Sequence, residues 1–460
     1  MQRNNNSHGR ESHNGGSKNG RLSLSERRSR ALTDAIAAAK NGKSELEIIV
    51  KAEESRKDDV ARQLQRIGQV GHVYKLIPYL SLRCDADYAD ILRKASSGDV
   101  SDSVFEKTFR NIMPAISAIE VSSKFSIPKA KLARNTAPVA VGAARLKQRA
   151  PLWNLEAIGA YEAQGYGTGE GVNVAIIDSG VDYSHSQLRA RFGTDKGYDF
   201  VKNDSEPMDK NGHGTHVAGT VASADYGVAA GCRLYAVRVL DENGSGSEAD
   251  AIAGIEWCIK NGIDVANMSF GGPVASQAFE EICAYAWQQG ILLAAAAGNS
   301  GYGANYPAAF GDSVIAVAAV DEELNHPGFS NIYETNDIAA PGVNVVSTYI
   351  GESYATLSGT SMASPHVAGS LALALSVAAG TAADMEKLMK SKAENLGEQE
   401  TFGAGLIRID GMASYLAGTA EYPGNRQPLV RDYFSFEKKV DLALNNFARD
   451  ALTEVKRMFS

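Results

Sequence analysis

The 460-residue chain predicts an α/β fold: a doubly wound, mainly parallel sheet preceded by a smaller ferredoxin-like α+β unit. Two observations carry this. Apolar, strand-like runs at about 173–178, 233–239, 265–269, 291–296 and 313–320 alternate with stretches of helical spacing. Near-continuous apolar strands are what a parallel sheet needs, because helices cover both of its faces. Upstream, residues 45–122 read strand–helix–strand–strand–helix–strand, the ferredoxin-like order.

Taken along the chain, residues 1–44 form a basic extension. Met1 to Gly20 is rich in Asn, Gly, Ser and Arg and reads as disordered, and a helical stretch follows from about Leu24 to Lys40. Glu45 to Ala52 alternates around Ile48 and Val50 as a strand. Asp58 to Ile67 has helical spacing, Gln69 to Leu76 and Ile77 to Arg83 read as strands, and Asp87 to Ala95 as a helix. A polar insert around 96–110 precedes a last strand, Ile116 to Ser122. Val121 to Leu152 then holds seven Lys/Arg and no acidic residue. Without periodicity, that composition reads as an exposed linker, with a cleavage site expected within 123–150. A large domain spans 151–418. The tail 419–460 carries an amphipathic stretch, Phe434 to Phe459, expected as a surface helix.

Three stretches of the large domain carry chemistry. Val172 to Ile177 is a β-branched run ending in Asp178-Ser179-Gly180, which puts a carboxylate where open α/β sheets build their sites. In Asn211-Gly212-His213-Gly214-Thr215-His216, a glycine-flanked histidine opens a small-residue helix. His216 reads as a packing histidine, and a zinc site on the two histidines fails because their spacing is not i, i+4 with an intervening Glu. In Gly359-Thr360-Ser361-Met362-Ala363-Ser364-Pro365-His366, a serine stands at the start of a buried helix, whose free N–H groups favour developing negative charge. The order Asp178, His213, Ser361 is one of the chain orders in which the serine-hydrolase triad recurs.

At these motifs the chain resembles the subtilisin-like serine proteases, the subtilase family (peptidase S8), over about residues 150 to 418. The resemblance implies Ser361 as nucleophile, His213 as general base and acid, and Asp178 as the group that orients the imidazole. Ile291 to Asn299 is similar to the oxyanion-hole strand, which makes Asn299 the oxyanion donor together with the Ser361 N–H. Asn267 to Pro273 resembles the edge strand that pairs with an extended peptide, so Ser269, Phe270 and Gly271 are expected to bind substrate. Ala296, Ala297 and Gly298 would line the opposite wall of the P1 pocket. Asn305 falls where a pocket-floor glycine often stands, which argues against a deep, purely apolar pocket. Glu248 stands where an aromatic often lids the P4 pocket. A carboxylate there either favours basic or polar residues at P4 or is a solvated loop charge, and both readings stay open. The N-terminal unit resembles the family's propeptide in pattern, with a permanent accessory domain as the alternative.

No cofactor is expected. At the family's tight calcium site Gln187 replaces a carboxylate, and only a short segment, Ser223 to Arg233, stands where the ligand loop should be. A weaker cation site using carbonyls near Ala308 and Phe310 with Asp337 is left open. The net charge of -8 argues against nucleic-acid or anionic-membrane partners. No run approaches the ~18–20 apolar residues of a membrane span. Partners are therefore protein or peptide substrates and the chain's own propeptide, with a monomer expected. Cys232, Cys258 and Cys283 sit in apolar surroundings and read as reduced, with a Cys258–Cys283 bridge left open. The basic start has no apolar signal core behind it, which favours the cytoplasm over secretion. The leading function is a serine endopeptidase made as a self-inhibited zymogen. The alternatives are a narrow-specificity processing protease and an inactive binding module.

Overall fold

The computed structural model describes residues 22–97, 109, 111–127 and 152–419. Met1 to Gly20, most of the insert 96–110, the basic stretch 128–150 and the expected C-terminal helix lie outside the described residues.

The N-terminal unit opens with helix α1 (Leu24–Gly42). The Ser23 hydroxyl accepts the Glu26 N–H while the Glu26 carboxylate accepts the Ser23 N–H, closing two helix-end donors reciprocally. Strand β1 (Glu45–Ala52), helix α2 (Lys57–Leu64), strands β2 (Gly68–Val73) and β3 (Tyr79–Asp85), helix α3 (Ala86–Ser96) and strand β4 (Ile116–Val121) follow. The strands pair antiparallel in the order β2-β3-β1-β4. Alternation along β1 and β3 sends Ile48, Val50, Leu80 and Leu82 to one face. There they meet Val60, Leu64, Ala89 and Leu92, and also Leu32 and Ile36 of α1. The expected boundary at residue 44 therefore shifts, because α1 buries its apolar face in this core.

The large domain centres on seven strands: β6 (Asn173–Asp178), β7 (Gly197–Asp199), β8 (Arg233–Arg238), β10 (Val265–Met268), β11 (Leu292–Ala296), β12 (Ile315–Val320) and β13 (Asn336–Pro341). They form one sheet ordered β13-β12-β11-β10-β6-β8-β7, with parallel pairing throughout. Side chains alternate between two cores. Val174 and Ile176 join the face covered by α4 (His213–Ala222) and α7 (Thr360–Val377), while Ala175 and Ile177 join the face covered by α5 (Glu248–Lys260) and α6 (Gln277–Gln288). Both faces of β6 are dry, which is why its sequence shows no polar alternation. Strand order runs one way from β6 and the other way from β10, and the crevice at such a reversal is where open sheets bind ligands. Every residue of α7 from Thr360 to Ala374 is buried. Among the described residues no single helix is long and apolar enough to cross a membrane.

The two units share a core. Ile49, Tyr74 and Tyr79 pack with residues of α5 and α6. Polar contacts surround that seam: Arg28 with Glu280 at 2.7 Å, Lys51 with Glu281 at 2.9 Å, and His72 with Asp250 at 2.8 Å. Glu256 accepts the N–H groups of Lys75 and Leu76. The chain then leaves β4 and enters the large domain as β5 (Lys124–Ser126), antiparallel to β9 (Ser245–Ser247). Ser126 exchanges both backbone hydrogen bonds with Gly271, at 3.3 and 3.2 Å, and the Ile127 N–H donates to Gly244. The segment expected to be a free linker thus begins as a strand held on both edges.

Candidate active site

Asp178 ends β6 and is fully buried. Its carboxylate accepts the Ser179 N–H at 2.7 Å and faces His213 Nδ1 at 2.9 and 3.0 Å. The approach of α4 to β6 depends on Gly214, where a Cβ would lie 2.1 Å from the Gly180 carbonyl oxygen and 3.2 Å from Asp178. The turn before α4 is organised by buried Asp209, which accepts from the Ser179 and Thr215 hydroxyls and from the N–H groups of Asn211, Gly212 and Thr215. One carboxylate therefore fixes the loop carrying His213 and couples it to the residue after Asp178. Its only signal in the sequence is an Asp just ahead of a helix start, too common a pattern to single Asp209 out.

Ser361 is the second residue of α7 and 2% exposed. Pro365 lacks the N–H that would bond the Ser361 carbonyl four residues back. That carbonyl instead accepts the Ser269 hydroxyl at 2.9 Å, tying α7 to the end of β10. The tie extends into a buried chain: Ser364 Oγ donates to Asn267 Oδ1, and Asn267 Nδ2 donates to Ser269 Oγ. Such a chain, fully satisfied in a low-dielectric interior, holds its members rigidly. The Ser361 hydroxyl donates to the Ser269 carbonyl at 2.9 Å, and buried His213 Nε2 has no hydrogen-bond partner. The Ser361 hydroxyl is thus turned to the strand, and His213 Nε2 is left with a free lone pair or proton.

Asn299 follows β11. Its Oδ1 accepts from both the N–H and the hydroxyl of Thr360 at 2.9 Å, and its Nδ2 lies against Gly359, where a Cβ would be 2.9 Å away. Thr360, not singled out in the sequence, therefore orients this amide beside the Ser361 N–H. Asn305 Nδ2 donates to the Ala296 carbonyl at 2.7 Å. A Cβ on Gly271 would meet the Asn305 amide at 2.3 Å, and one on Gly298 would meet its Cβ at 2.9 Å. Asn305 therefore lies between the two expected pocket walls and fills the space a glycine would leave.

A family model described as the subtilase family matches residues 169–405. The chain belongs to the subtilase family. It is 46% identical over 263 residues to subtilisin DY of Bacillus licheniformis, covering 55% of this chain and 94% of that protein. Subtilisin Savinase of Lederbergia lenta is 41% identical over 266 residues, covering 56% of this chain and 97% of that protein. Subtilisin E of Bacillus subtilis is 44% identical over 266 residues, covering 55% and 68%. This subtilase is a subtilisin-like serine endopeptidase acting on protein or peptide substrates.

Other expectations fare differently in this subtilase. His216 is a packing residue, its Nε2 3.1 Å from the carbonyls of Val345 and Ala355 and its pKa pushed down to about 3 by burial. All four cysteines are free and buried, so the Cys258–Cys283 bridge is absent. Glu248 is neither a solvated loop charge nor a charged lid over P4. It is fully buried between the starts of α5 and α6, because Ser276 and Ser123 bond its carboxylate.

The residues at the family's calcium positions do not fit a hard cation. Gln187 Nε2 donates to Asp225 at 2.8 Å and Gln187 Oε1 accepts the Asp225 N–H at 3.0 Å, so the side chain closes the shortened loop on itself. Asp337 is paired with Lys390 at 2.7 Å and accepts the Ala316 N–H, so an ammonium already sits on the one carboxylate of the weaker site.

Proposed function

We propose that this subtilase cleaves peptide bonds through Ser361, His213 and Asp178, and is made in a form whose N-terminal unit blocks its own cleft. The observation carrying the first half is the bond between buried Asp178 and His213 Nδ1 at the mouth of the sheet, together with a serine that starts a buried helix. Asp178 holds the tautomer with Nδ1 protonated, leaving Nε2 free to accept a proton. In the reactive arrangement the Ser361 hydroxyl leaves the Ser269 carbonyl and donates to that nitrogen. Oγ then attacks the scissile carbonyl carbon while its proton passes to Nε2. Negative charge on the carbonyl oxygen is met by the Asn299 amide and the Ser361 N–H. Collapse returns the proton to the leaving amine, and water repeats the sequence on the acyl-enzyme. Hydrolysis of a denatured protein, blocked by a serine-directed covalent inhibitor, tests this reading; hydrolysis untouched by the inhibitor would sink it. The intact Asp178–His213 geometry speaks against an inactive binding module.

Support for self-inhibition is the path of β5. It fills the gap between β9 and Gly271 as an extended substrate would, and β-addition gives affinity through main-chain bonds. The Phe125 ring enters the P4 region, 5.7 Å from Phe270 and 5.3 Å from Phe279, and is 1% exposed. This favours large apolar residues at P4 over basic or polar ones. Maturation cleavage would then lie beyond Ile127.

Specificity at P1 follows from Asn305. Its replacement by glycine opens the floor between Gly271 and Gly298. Asn305→Gly should raise kcat/KM for a large aromatic P1 over a small one by about tenfold, since a few buried methylenes are worth about 1–3 kcal/mol. A peptide library profiled with both enzymes reads this out, and an unchanged P1 profile would remove Asn305 from the pocket. For calcium, we propose that none is required. Millimolar EDTA should leave Tm within about 2 °C, because a ligand that does not bind the native state adds nothing to its stability. A calorimetric scan with and without chelator checks it, and a drop of tens of degrees would refute it.

A further inference from the structure

One buried carboxylate lies between two helix starts and the segment in the cleft. Ser247 caps α5, its hydroxyl accepting the Asp250 N–H, and Glu248 is the first residue of that helix. Ser276 caps α6. Glu248 Oε1 accepts the Ser276 N–H at 2.6 Å and the Ser276 hydroxyl as well. Oε2 accepts the N–H of Ser123 at 2.9 Å. The main-chain N–H of Glu248 donates to the Ser123 carbonyl, also at 2.9 Å. Both main-chain polar groups of residue 123 are thus held by Glu248, one by its side chain and one by its backbone.

The two carboxylate oxygens have different donors. Oε1 is bonded from within the large domain and would be so in any state of the cleft. The bond to Oε2 comes from the N-terminal segment, and only while that segment is present. Burial pushes the Glu248 carboxyl up to about 7 against its hydrogen bonds, so an acceptor kept here is held at some cost to the fold. Its use as a helix cap would be met by Ser276 alone. Two residues on, Phe125 packs against Phe270 and Phe279, and Gly272 lies beneath the ring, where a Cβ would be 3.0 Å away. With Phe125 in the P4 pocket, Ser123 stands at P6.

We propose that Glu248 is a substrate-positioning residue of the open enzyme. It binds the N–H and C=O of the substrate residue at P6, so the cleft reads an extended polypeptide carrying a free amide N–H there and a large apolar side chain at P4. Short peptides ending at P4 miss this hold. Unfolded chains and long flexible loops, which can supply six extended residues on the acyl side, gain it. The inference rests on the reading of β5 as a substrate-like occupant.

The test pairs a change in the substrate with a change in the enzyme. Active enzyme from the full-length chain is assayed on three peptides with the same aromatic P4 and the same leaving group. One ends at P4, one extends to an acetylated P6, and one is that longer peptide N-methylated at P6. At about pH 9, where the Glu248 carboxyl is ionised, a hydrogen bond to this charged acceptor is strong enough that methylation should raise KM about tenfold in the wild type, with kcat little changed. In Glu248→Gln the amide oxygen stays with the two Ser276 donors, which turns an NH2 group toward P6. The methylation penalty should then fall below twofold, a readout that a purely structural role would not move. Equal penalties in the two enzymes would overturn the proposal. Were the variant not to fold, the wild type decides alone, and a methylation effect below twofold would overturn it. Failure of the P4-length peptide to be cleaved at all would instead count against the proteolytic reading itself.

Discussion

Ser361→Ala is expected to lower kcat on protein substrates by about 10⁶-fold and to leave the chain at full length. That magnitude is the loss known for the nucleophile of a subtilisin, a relative of this chain, and the geometry of this site supplies only the direction. Without Oγ, the proton acceptor at His213 Nε2 has nothing to activate, and only binding and the oxyanion donors remain, which alone sustain about 10³–10⁴-fold over water. The fold should persist, because Ser361 Oγ makes one hydrogen bond, to the Ser269 carbonyl, while the tie from Ser269 Oγ to the Ser361 carbonyl is untouched. Intact mass reports on maturation at the same time. If Ser361→Ala is trimmed like the wild type, cleavage is done by another protease. If the variant retains more than about a hundredth of wild-type hydrolysis, the assignment of Ser361 as nucleophile fails.

The second large effect is expected at Phe125. Its ring is 1% exposed and packs between Phe270 and Phe279. Removing a buried aromatic side chain from a packed core costs about 3–5 kcal/mol, and such anchors dominate interface energies. Some of that is lost to repacking and to water entering a pocket built to open, so about 2–3 kcal/mol of blockade should disappear in Phe125→Ala. At 1.4 kcal/mol per factor of ten, the full-length chain should be about 30- to 100-fold more active before processing and should reach full activity sooner. Backbone pairing of Ser126 with Gly271 remains in the variant, so residual inhibition is expected. A time course of substrate hydrolysis from freshly purified full-length chain measures both quantities. An unchanged lag and unchanged starting rate would mean that β5 is not what blocks the cleft.

The candidate triad is legible in the sequence because its parts are local. A dry strand ending in Asp178, a glycine-flanked histidine opening a helix and a serine at the head of an apolar helix are each patterns within about ten residues. Their fixed order ties them to one family. What stays hidden is everything set by contact across the chain. Asp209 and Thr360 look like ordinary turn and cap residues, and they matter because each reaches a group 20 or more residues away. Ser269, expected to bind substrate, instead gives its hydroxyl to the Ser361 carbonyl. Glu248 misleads for the same reason. A glutamate in a Gly/Ser-rich loop reads either as a solvated charge or as a P4 contact, and its burial arises only where the starts of α5 and α6 meet the N-terminal segment. The linker misleads in its first residues, since Lys124 to Ile127 carry no signal for a strand until β9 and Gly271 offer two edges to pair with.

By itself, then, the sequence determined the doubly wound sheet and the antiparallel N-terminal unit, and it singled out Asp178, His213, Ser361 and Asn299 as the candidates for chemistry. Hydrophobic period and glycine placement are written residue by residue, and they fix local structure and the strand ends. Only the tertiary structure decided where the Ser361 hydroxyl rests, what fills the pocket floor, how Gln187 bonds Asp225 and Lys390 pairs with Asp337, and what sits in the cleft. Those are matters of distance between segments far apart in the chain. A hydrogen bond or a buried charge gains its energy only once the fold has brought its partner within about 3 Å.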